Sequence, residues 1–273
     1  MFELNKIGFV KRASALLLDA ILLVVLATGF MWIISLICRF EHQQKLGGEY
    51  YSEWEDFRKE NIADIAEYYG FLYEENEDGE YTIVASDGES ASIDDVILAL
   101  EASGGNDAET AELYKTHITL VRKVNMQYKY VFTMLFMMVS LGTLLSYLVL
   151  EFILPIILKN GQTVGKKVFG IGLVQPNCVK ISNVSLFART FVGKFAIETM
   201  FPILLVFLFL FGGLGWLAIA LFAAITILNV VLFFATKNKT PIHDILAGTV
   251  AIELSVQLIF KTEQELAEKK ALL

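Results

Sequence analysis

The sequence predicts an all-α membrane protein: a four-span helical bundle with a small α/β extracytoplasmic insertion between spans 1 and 2 and a short cytoplasmic hairpin between spans 2 and 3. Three observations predict this fold. Hydrophobic residues make up 55% of the 273 positions, and the mean hydropathy of +0.57 is too high for an ordinary soluble domain. Apolar runs long enough to cross a bilayer recur along the chain. Acidic residues are concentrated in one segment, residues 39–125.

The first apolar run, residues 13–38, follows Lys11 and Arg12. It is longer than the core of a typical signal peptide, it contains Asp19, and it lacks a small-x-small cleavage site. We therefore expect a retained helix and assign residues 1–38 to the first transmembrane segment.

The last apolar region, residues 201–235, is almost uncharged. As one helix it would reach about 52 Å at 1.5 Å per residue, which is too long for a single crossing. Gly212-Gly213 and Gly215 favour a turn inside it. The third and fourth spans are therefore predicted at about 185–211 and 214–236.

Four segments follow from these runs and from the charged stretches between them. They are residues 1–38, the first transmembrane helix; 39–125, the acidic insertion; 126–253, the rest of the bundle, with the second span at about 130–158 and a cytoplasmic segment at 240–253; and 254–273, a charged cytoplasmic tail.

Charge is strongly segregated along the chain, although the net charge is only −8. Residues 39–125 hold 21 of the 30 acidic residues but 7 of the 22 lysines and arginines. Basic residues flank the same ends of the predicted helices: Lys6, Lys11, Arg12, Lys159, Lys166, Lys167, Lys180, Lys237 and Lys239. Because cytoplasmic loops are enriched in lysine and arginine, both termini are predicted to be cytoplasmic and residues 39–125 to lie outside.

The acidic insertion is predicted to contain secondary structure of its own. Aromatic and aliphatic residues at helical spacing predict a helix at about 49–69. Residues 71–73 and 81–84 flank Asn76-Glu77-Asp78-Gly79 and predict a hairpin, and Ser92-Ile93-Asp94-Asp95 opens a second helix. Its aromatic residues form either the core of this small domain or an exposed site for a protein or peptide partner. They are Tyr50, Trp54, Tyr68, Tyr69 and Tyr73.

Two charged residues stand out at the start of the first span. Arg12 and Asp19 are seven residues apart and therefore share one helix face. Anchoring at the membrane interface explains Arg12 equally well. Asp19 lies two turns inside hydrocarbon, where an ionised carboxylate costs about +2.5 to 3.5 kcal/mol. We expect Asp19 to face a protein group, a cation or a proton.

A second polar motif, Thr240-Pro241-Ile242-His243-Asp244, follows the fourth span. Thr240 is predicted as a helix N-cap, Pro241 as the first helical residue and Asp244 as a first-turn carboxylate favoured by the helix dipole. Helix capping alone is an equal explanation for Asp244. His243 either titrates near neutral pH or is an exposed interfacial histidine.

Other ionisable residues lie within the predicted bundle: Glu151 in the second span, and Arg189, Lys194 and Glu198 along the third. Lys194 and Glu198 are four residues apart, and such groups either pair with one another or form a polar path through the bundle. The stretch at 161–167 resembles a phosphate-binding loop, but its glycine spacing is four instead of five and no strand precedes it. No nucleotide is expected there.

Five stretches together resemble one known family: Gly8-Phe9-Val10-Lys11-Arg12, Leu18-Asp19, Gly161-Gln162-Thr163-Val164-Gly165-Lys166-Lys167-Val168-Phe169-Gly170, residues 186–189, and residues 240–250. The chain resembles the RDD family of bacterial membrane proteins over residues 5–38 and 128–253. The family is named for one arginine and two aspartates, which look here like Arg12, Asp19 and Asp244. The resemblance implies a multi-pass protein of a bacterial plasma membrane. The acidic insertion departs from the family's usually short first loop.

Transport has been proposed for some members of that family, and two functions stay open here. In the first, a polar cluster of Arg12, Asp19 and Asp244 moves a small cation, a proton or a solute. Because four helices enclose only a thin path, transport would then require a homo-oligomer. In the second, the protein is a non-transporting accessory whose residues 39–125 bind a partner. Supporting polar residues are Glu151, Lys166, Lys167, Arg189, Lys194, Glu198 and His243.

Enzymatic activity is not expected, because no nucleophile–base or metal-ligand spacing is found in the sequence. For the same reason no metal or other cofactor is expected. Partners other than the lipid bilayer and a protein are not indicated, and nucleic acid binding is not expected from the acidic net charge.

The predicted topology can be tested by cysteine labelling after Cys38 and Cys178 have been replaced. Because the acidic insertion is predicted to lie outside, Ser86→Cys should react with an impermeant maleimide in intact cells. Asn238→Cys should react only after permeabilisation. The reverse pattern would overturn the orientation.

Overall fold

The computed structural model describes residue 4 and residues 7–75, 81–84, 90–104, 110–211, 215–236 and 240–271. The chain divides into two compact units. The first comprises Met1–Ile34 and Phe136–Leu273, and the second comprises Ser35–Leu135. Seven positions used in the sequence predictions lie outside the described residues, as does the predicted turn at 76–79: Lys6, Ser86, Gly212, Gly213, Lys237, Asn238 and Lys239.

Three helices among the described residues are long and apolar enough to cross a membrane: Phe9–Cys38, Ala111–Leu158 and Asn183–Leu210. The first is helix α1 (Phe9–Cys38). The second consists of α4 (Ala111–Tyr147), a π-helical segment (Leu148–Ile153) and α5 (Leu154–Leu158). The third consists of α7 (Asn183–Phe187), a π-helical segment (Ala188–Met200) and α8 (Phe201–Phe211).

A further apolar helix, α9 (Trp216–Ala235), follows the third span and packs against α8. Its qualifying apolar stretch, Trp216–Leu232, is shorter than that of the other three. Gly215 precedes it with a φ of 48°, a conformation that favours glycine. The structure thus supports three spans by length, and the fourth stays a prediction.

Both π-helical segments end two residues before a proline, at Pro155 and Pro202. A proline has no N–H to donate and its ring clashes with the carbonyl four residues earlier. A wider turn relieves that clash while the helix continues. The local sequence therefore explains why spans two and three depart from regular α-helical geometry.

Short elements complete the first unit: α6 (Val164–Val168), β4 (Ile171–Val174), α10 (Ile242–Ala247), β5 (Val250–Glu253) and α11 (Glu263–Ala271). Strand β4 pairs antiparallel with β5, with Ile171 opposite Glu253 and Val174 opposite Val250, although Val174 and Val250 are 76 positions apart in the sequence. The sequence predicts a short hairpin between spans 2 and 3, formed by residues 168–174 and 179–181. In the structure this pairing is limited to one antiparallel bridge, Val174–Lys180. The main partner of β4 is β5, a pairing that no local pattern signals.

The second unit contains all of the predicted insertion. It consists of α2 (Phe40–Tyr68), β1 (Leu72–Glu75), β2 (Tyr81–Val84), β3 (Ser90–Ala91), α3 (Ile93–Ser103) and the first part of α4. Ser92 caps α3 in a capping box with Asp95. The three strands form an antiparallel sheet in the order β1-β2-β3. The unit has its own core, formed by Ile62, Ile65, Ala66, Ile83, Val96, Ile97 and Leu100.

Several predicted aromatic residues of the insertion are engaged within that unit. Tyr69 packs against the core. Lys123 lies over the ring of Tyr50 at 4.1 Å, and Arg58 over the ring of Trp54 at 4.6 Å. These contacts favour the interpretation that the aromatic residues stabilise the unit itself.

Helix α1 approaches α4 closely at Gly142. A Cβ atom there would lie 3.1 Å from the carbonyl oxygen of Ala27 and 2.6 Å from Cγ of Met31, whereas a Cβ on Gly29 would meet nothing within 4 Å. We expect Gly142→Leu to lower the free energy of unfolding in detergent by about 1–3 kcal/mol, because the larger side chain must push the helices apart. Gly29→Leu is the matched control and should be neutral. Equal effects of the two changes would contradict this contact.

Candidate functional site

A cavity of about 490 Å³ lies within the first unit, between α1, the segment around α6, the third span, α9 and α10. Eight of the ten residues that the sequence singled out line it: Arg12, Asp19, Lys166, Arg189, Lys194, Glu198, His243 and Asp244. Glu151 contacts the cluster through Lys194. Lys167 is exposed and is not part of the lining.

Asp244 is held by the third span and not by a role as a helix cap. Its Oδ1 accepts hydrogen bonds from Nε of Arg189 at 2.7 Å and from the hydroxyl of Thr249 at 2.8 Å. Arg189 and Asp244 are almost completely buried. Burial by itself raises the pKa of Asp244, but the charge of Arg189, the nearby His243 and the hydrogen bonds from Arg189 and Thr249 together outweigh it, so that the pKa lies well below its usual value. Asp244 is therefore ionised inside the protein.

The predicted start of α10 is wrong by one residue. Pro241 occupies the N-cap position, without a side-chain hydrogen bond, and the helix begins at Ile242. Thr240 does not cap α10, because its backbone N–H bonds to the hydroxyl of Thr236 at 2.8 Å and its hydroxyl contacts the same atom. The backbone N–H of Ile242 donates to Oδ1 of Asn229 at 3.3 Å.

Glu151 and Lys194 connect the second span to the third. The Lys194 ammonium donates to Oε1 of Glu151 at 2.5 Å, and Nη1 of Arg189 lies 3.6 Å from Oε2 of Glu151. The hydroxyl of Thr190 donates to the Glu151 carbonyl at 2.9 Å. The alternative of a Lys194–Glu198 pair along one helix is therefore replaced by a pairing between spans.

Glu198 instead contacts His243. Nδ1 of His243 lies 2.8 Å from Oε2 of Glu198, and the backbone N–H of His243 donates to Oε1 at 3.2 Å. Burial lowers the pKa of His243, and the opposing effect of Asp244 does not restore it. His243 is a buried, neutral histidine at pH 7, and the interpretation of an exposed interfacial histidine is wrong.

Asp19 joins α1 to the start of α6. Its carboxylate accepts hydrogen bonds from the hydroxyl of Thr163 at 2.5 Å and from the backbone N–H of Gly165 at 2.7 Å. Nζ of Lys166 lies 3.9 Å away. A Cβ on Gly165 would lie 2.3 Å from the carbonyl oxygen of Ala15, so this close approach requires glycine. The stretch that resembles a phosphate loop binds a carboxylate of its own chain.

Arg12 lines the same cavity, and its Nη2 donates to the carbonyl oxygen of Ala251 at 3.1 Å. A direct pairing of Arg12 with Asp19 stays a prediction. The side chains of Thr163, Thr249 and Asn229 were not singled out from the sequence. Asn229 could have been found from the sequence, because it is a lone amide within an apolar helix. The two threonines have no comparable sequence feature.

Comparison with known proteins gives a family-level match. The model of the RDD family matches residues 93–248, which is more than half of the chain and includes Asp244. The match also takes in residues 93–125 of the acidic insertion, whereas Arg12 and Asp19 lie before it. No curated protein and no solved structure matches the chain.

The buried pair of Arg189 and Asp244 is testable by a double-mutant cycle. Arg189→Met or Asp244→Asn alone should lower the free energy of unfolding by about 3–5 kcal/mol, because each change strands a buried charge. The double variant should cost clearly less than the sum. The matched control is Lys11 with Glu253, which are 2.6 Å apart but 50% and 31% exposed and should contribute about 0–1 kcal/mol. Additive effects at both pairs would show that burial confers no coupling.

Lys166 provides a pH-dependent prediction. Burial lowers its pKa to about 8, whereas in the unfolded chain the lysine keeps its proton to about pH 10.4. Between these values the unfolded state binds a proton that the folded state has released, so stability should rise with pH by at most about 1.4 kcal/mol per unit. Chemical denaturation between pH 8 and 10 should show this rise in the unmodified protein and lack it in Lys166→Met. Identical slopes would contradict the lowered pKa.

Proposed function

The chain belongs to the RDD family of membrane proteins, and from this premise we propose that it moves a small cation, most simply a proton, through the buried cluster that contains Arg12, Asp19 and Asp244. One observation carries the proposal: eight ionisable side chains line a single cavity inside a unit built from apolar helices. Each such group is costly in hydrocarbon, and ionisable residues within spans characteristically mark ion and proton paths.

The chemistry of the cluster separates fixed charges from groups that exchange protons. Arg12 and Arg189 remain charged at any physiological pH, because a guanidinium does not deprotonate in proteins. His243, hydrogen-bonded to Glu198 and 3.7 Å from Asp244, can accept a proton between two carboxylates. Lys166, 3.9 Å from Asp19, has a pKa of about 8, lowered first by burial, so that it is mostly charged at pH 7 and can release a proton about one pH unit above neutrality.

Two pairs thus carry the proposed proton exchange. His243 with Glu198 forms one, and Lys166 with Asp19 forms the other. The fixed charges of Arg12 and Arg189 lie near Asp244 and favour its ionised form, and neither guanidinium relays a proton itself. Movement of α1 would change the distance of Asp19 from Lys166 and so couple proton release to conformation.

The proposal includes the topology expected from the sequence. Helix α9 serves as the fourth span, both termini are cytoplasmic, residues 39–125 are extracytoplasmic, and the membrane is a bacterial plasma membrane. Four spans enclose a narrow path, so the transporting form is a homo-oligomer. The proposed role is not enzymatic.

A second candidate is an accessory protein that binds a partner through its acidic insertion. The observation in its favour is the separate core of the second unit, which gives that region a fold of its own. The partner would be a protein or peptide, and the excess of acidic residues favours a cationic one.

Flux from proteoliposomes tests the first candidate against the second. The purified protein should dissipate a pH gradient, or exchange Na⁺ or K⁺ for protons, faster than empty liposomes. Asp19→Asn and Glu198→Gln should lose most of this flux, because each removes a member of one proton-exchanging pair. Glu253→Gln, which alters a half-buried carboxylate outside the cavity, is the matched control and should keep it.

Replacement of residues 49–105 by a Gly/Ser linker separates the two candidates further. The shortened protein should retain the flux if transport resides in the first unit. If the full-length protein shows no flux above that of empty liposomes, transport is excluded and the accessory role is favoured.

A further inference from the structure

We propose that the cavity also binds an anionic amphiphile, a molecule with an acyl chain and a negatively charged head, which enters from the bilayer between α1 and α9. This inference goes beyond the proposed transport and can fail independently of it. It rests on where the cavity opens, on which side chains form its walls, and on the hydrogen-bond partners that its carboxylates already have.

The cavity opens towards lipid. Leu16 of α1 and Val230 and Phe234 of α9 line it, yet they are 63%, 52% and 66% exposed. Exposed apolar side chains on membrane helices face the hydrocarbon of the bilayer. Side chains that face both the cavity and the hydrocarbon form an entrance that a molecule dissolved in the membrane can reach laterally.

The walls are apolar near this entrance and charged behind it. Phe9, Ala13 and Leu16 follow one face of α1, with Arg12 near the beginning of the same helix. A site of about 490 Å³ with apolar walls and a few convergent polar groups has the size and character of a pocket for a small organic ligand. An acyl chain fits the apolar part, and a polar head fits the charged part.

The way the charges are already paired favours a negative head. Four cationic side chains line the cavity, Arg12, Lys166, Arg189 and Lys194, together with three carboxylates, and a fourth carboxylate, Glu151, pairs with Lys194 from behind the lining. The carboxylates already accept hydrogen bonds. Those donors are Thr163 and Gly165 for Asp19, Arg189 and Thr249 for Asp244, and His243 for Glu198.

Lys166 is the cation best placed to hold the head. Its Nζ donates to the neutral hydroxyl of Thr163 at 3.2 Å and stands 3.9 Å from the nearest oxygen of Asp19. A carboxylate or phosphate would give it a charged acceptor at hydrogen-bond distance. A cationic head would find the carboxylates occupied by other donors.

The acyl chain contributes little to selectivity, because leaving the bilayer for an apolar cavity exchanges one hydrocarbon environment for another. Affinity should therefore depend on the charge of the head. A dependence of affinity on the charge of the head distinguishes a specific site from a surface that lipid covers without selectivity.

Native mass spectrometry of the full-length protein, delipidated in an uncharged detergent, tests the proposal. Oleate should form an adduct at low micromolar concentration, and oleyl alcohol, which has the same chain without the charge, should not. Phosphatidylglycerol and phosphatidylcholine provide the same comparison for phospholipids, with an anionic and a zwitterionic head. Retention of oleate alone identifies a free fatty acid as the ligand class, and retention of phosphatidylglycerol identifies an anionic phospholipid.

Two neighbouring substitutions provide the matched control. Val230→Trp fills the entrance and should abolish the adduct. Val231→Trp adds the same side chain to the next position, which is equally exposed but does not line the cavity, and should leave the adduct intact. Both lie on an exposed helix surface, so both variants should fold.

Two substitutions at Lys166 test whether binding requires its charge. Lys166→Gln should weaken oleate binding about tenfold, because it removes a charge-assisted hydrogen bond, and Lys166→Arg should restore most of it. Equal binding of oleyl alcohol, preferential binding of oleylamine, or an adduct that survives Val230→Trp would each overturn the proposal.

Discussion

The pairing of Arg189 with Asp244 is the interaction on which the first unit depends. Both side chains are almost completely buried, and 55 residues of sequence separate them. A charge in a low-dielectric interior is tolerated only beside an opposite charge or strong hydrogen-bonding groups. The third span and α10 therefore cannot separate without leaving two charges unpaired. The pair of Lys194 and Glu151 places the same constraint on the second and third spans.

Glycines set the distances at which these charged groups meet. A Cβ on Gly193 would lie 2.6 Å from Cβ and 2.7 Å from Cα of His243, so α10 reaches the third span only because residue 193 has no side chain. Gly165 plays the same part for α1, since it brings its own N–H to the carboxylate of Asp19. Small residues allow close backbone approach in membrane proteins, and here that approach determines which carboxylate meets which donor.

Features encoded within a few residues could be predicted from the sequence. The apolar run of α1 and the Ser92 cap of α3 are of this kind, because hydrophobic length and capping chemistry are local. Buried ionisable groups also need one another, which is why most residues chosen for their polarity in an apolar context line one cavity. The pairing of β4 with β5 could not be predicted, since the two strands are distant in sequence and four residues long.

Which side chains pair within the ionisable cluster could not be predicted from the sequence, for a geometric reason. Lys194 and Glu198 are spaced for contact in an α-helix, but residues Ala188–Met200 form a π-helix. Hydrogen bonds from residue i to i+5 rotate successive side chains differently, so the α-helical rule for side-chain neighbours does not hold there. Lys194 reaches the second span and Glu198 reaches α10.

Helix α1 makes its polar contacts near one end and packs closely against α4 at Gly142 further along. Arg12 and Asp19 make theirs with Ala251, Thr163 and Gly165, and no charged residue follows until Arg39. Among the residues of α1, all of which are described, the buried ones are Ala15 and Ala27. In lipid, an apolar side chain gains little by exchanging hydrocarbon for protein, so the hydrophobic effect does not fix this helix. Its position depends on the close packing at Gly142 and on hydrogen bonds made by a carboxylate and a guanidinium that belong to the ionisable cluster. The helix that forms one wall of the cavity is therefore the element most sensitive to the charges within it.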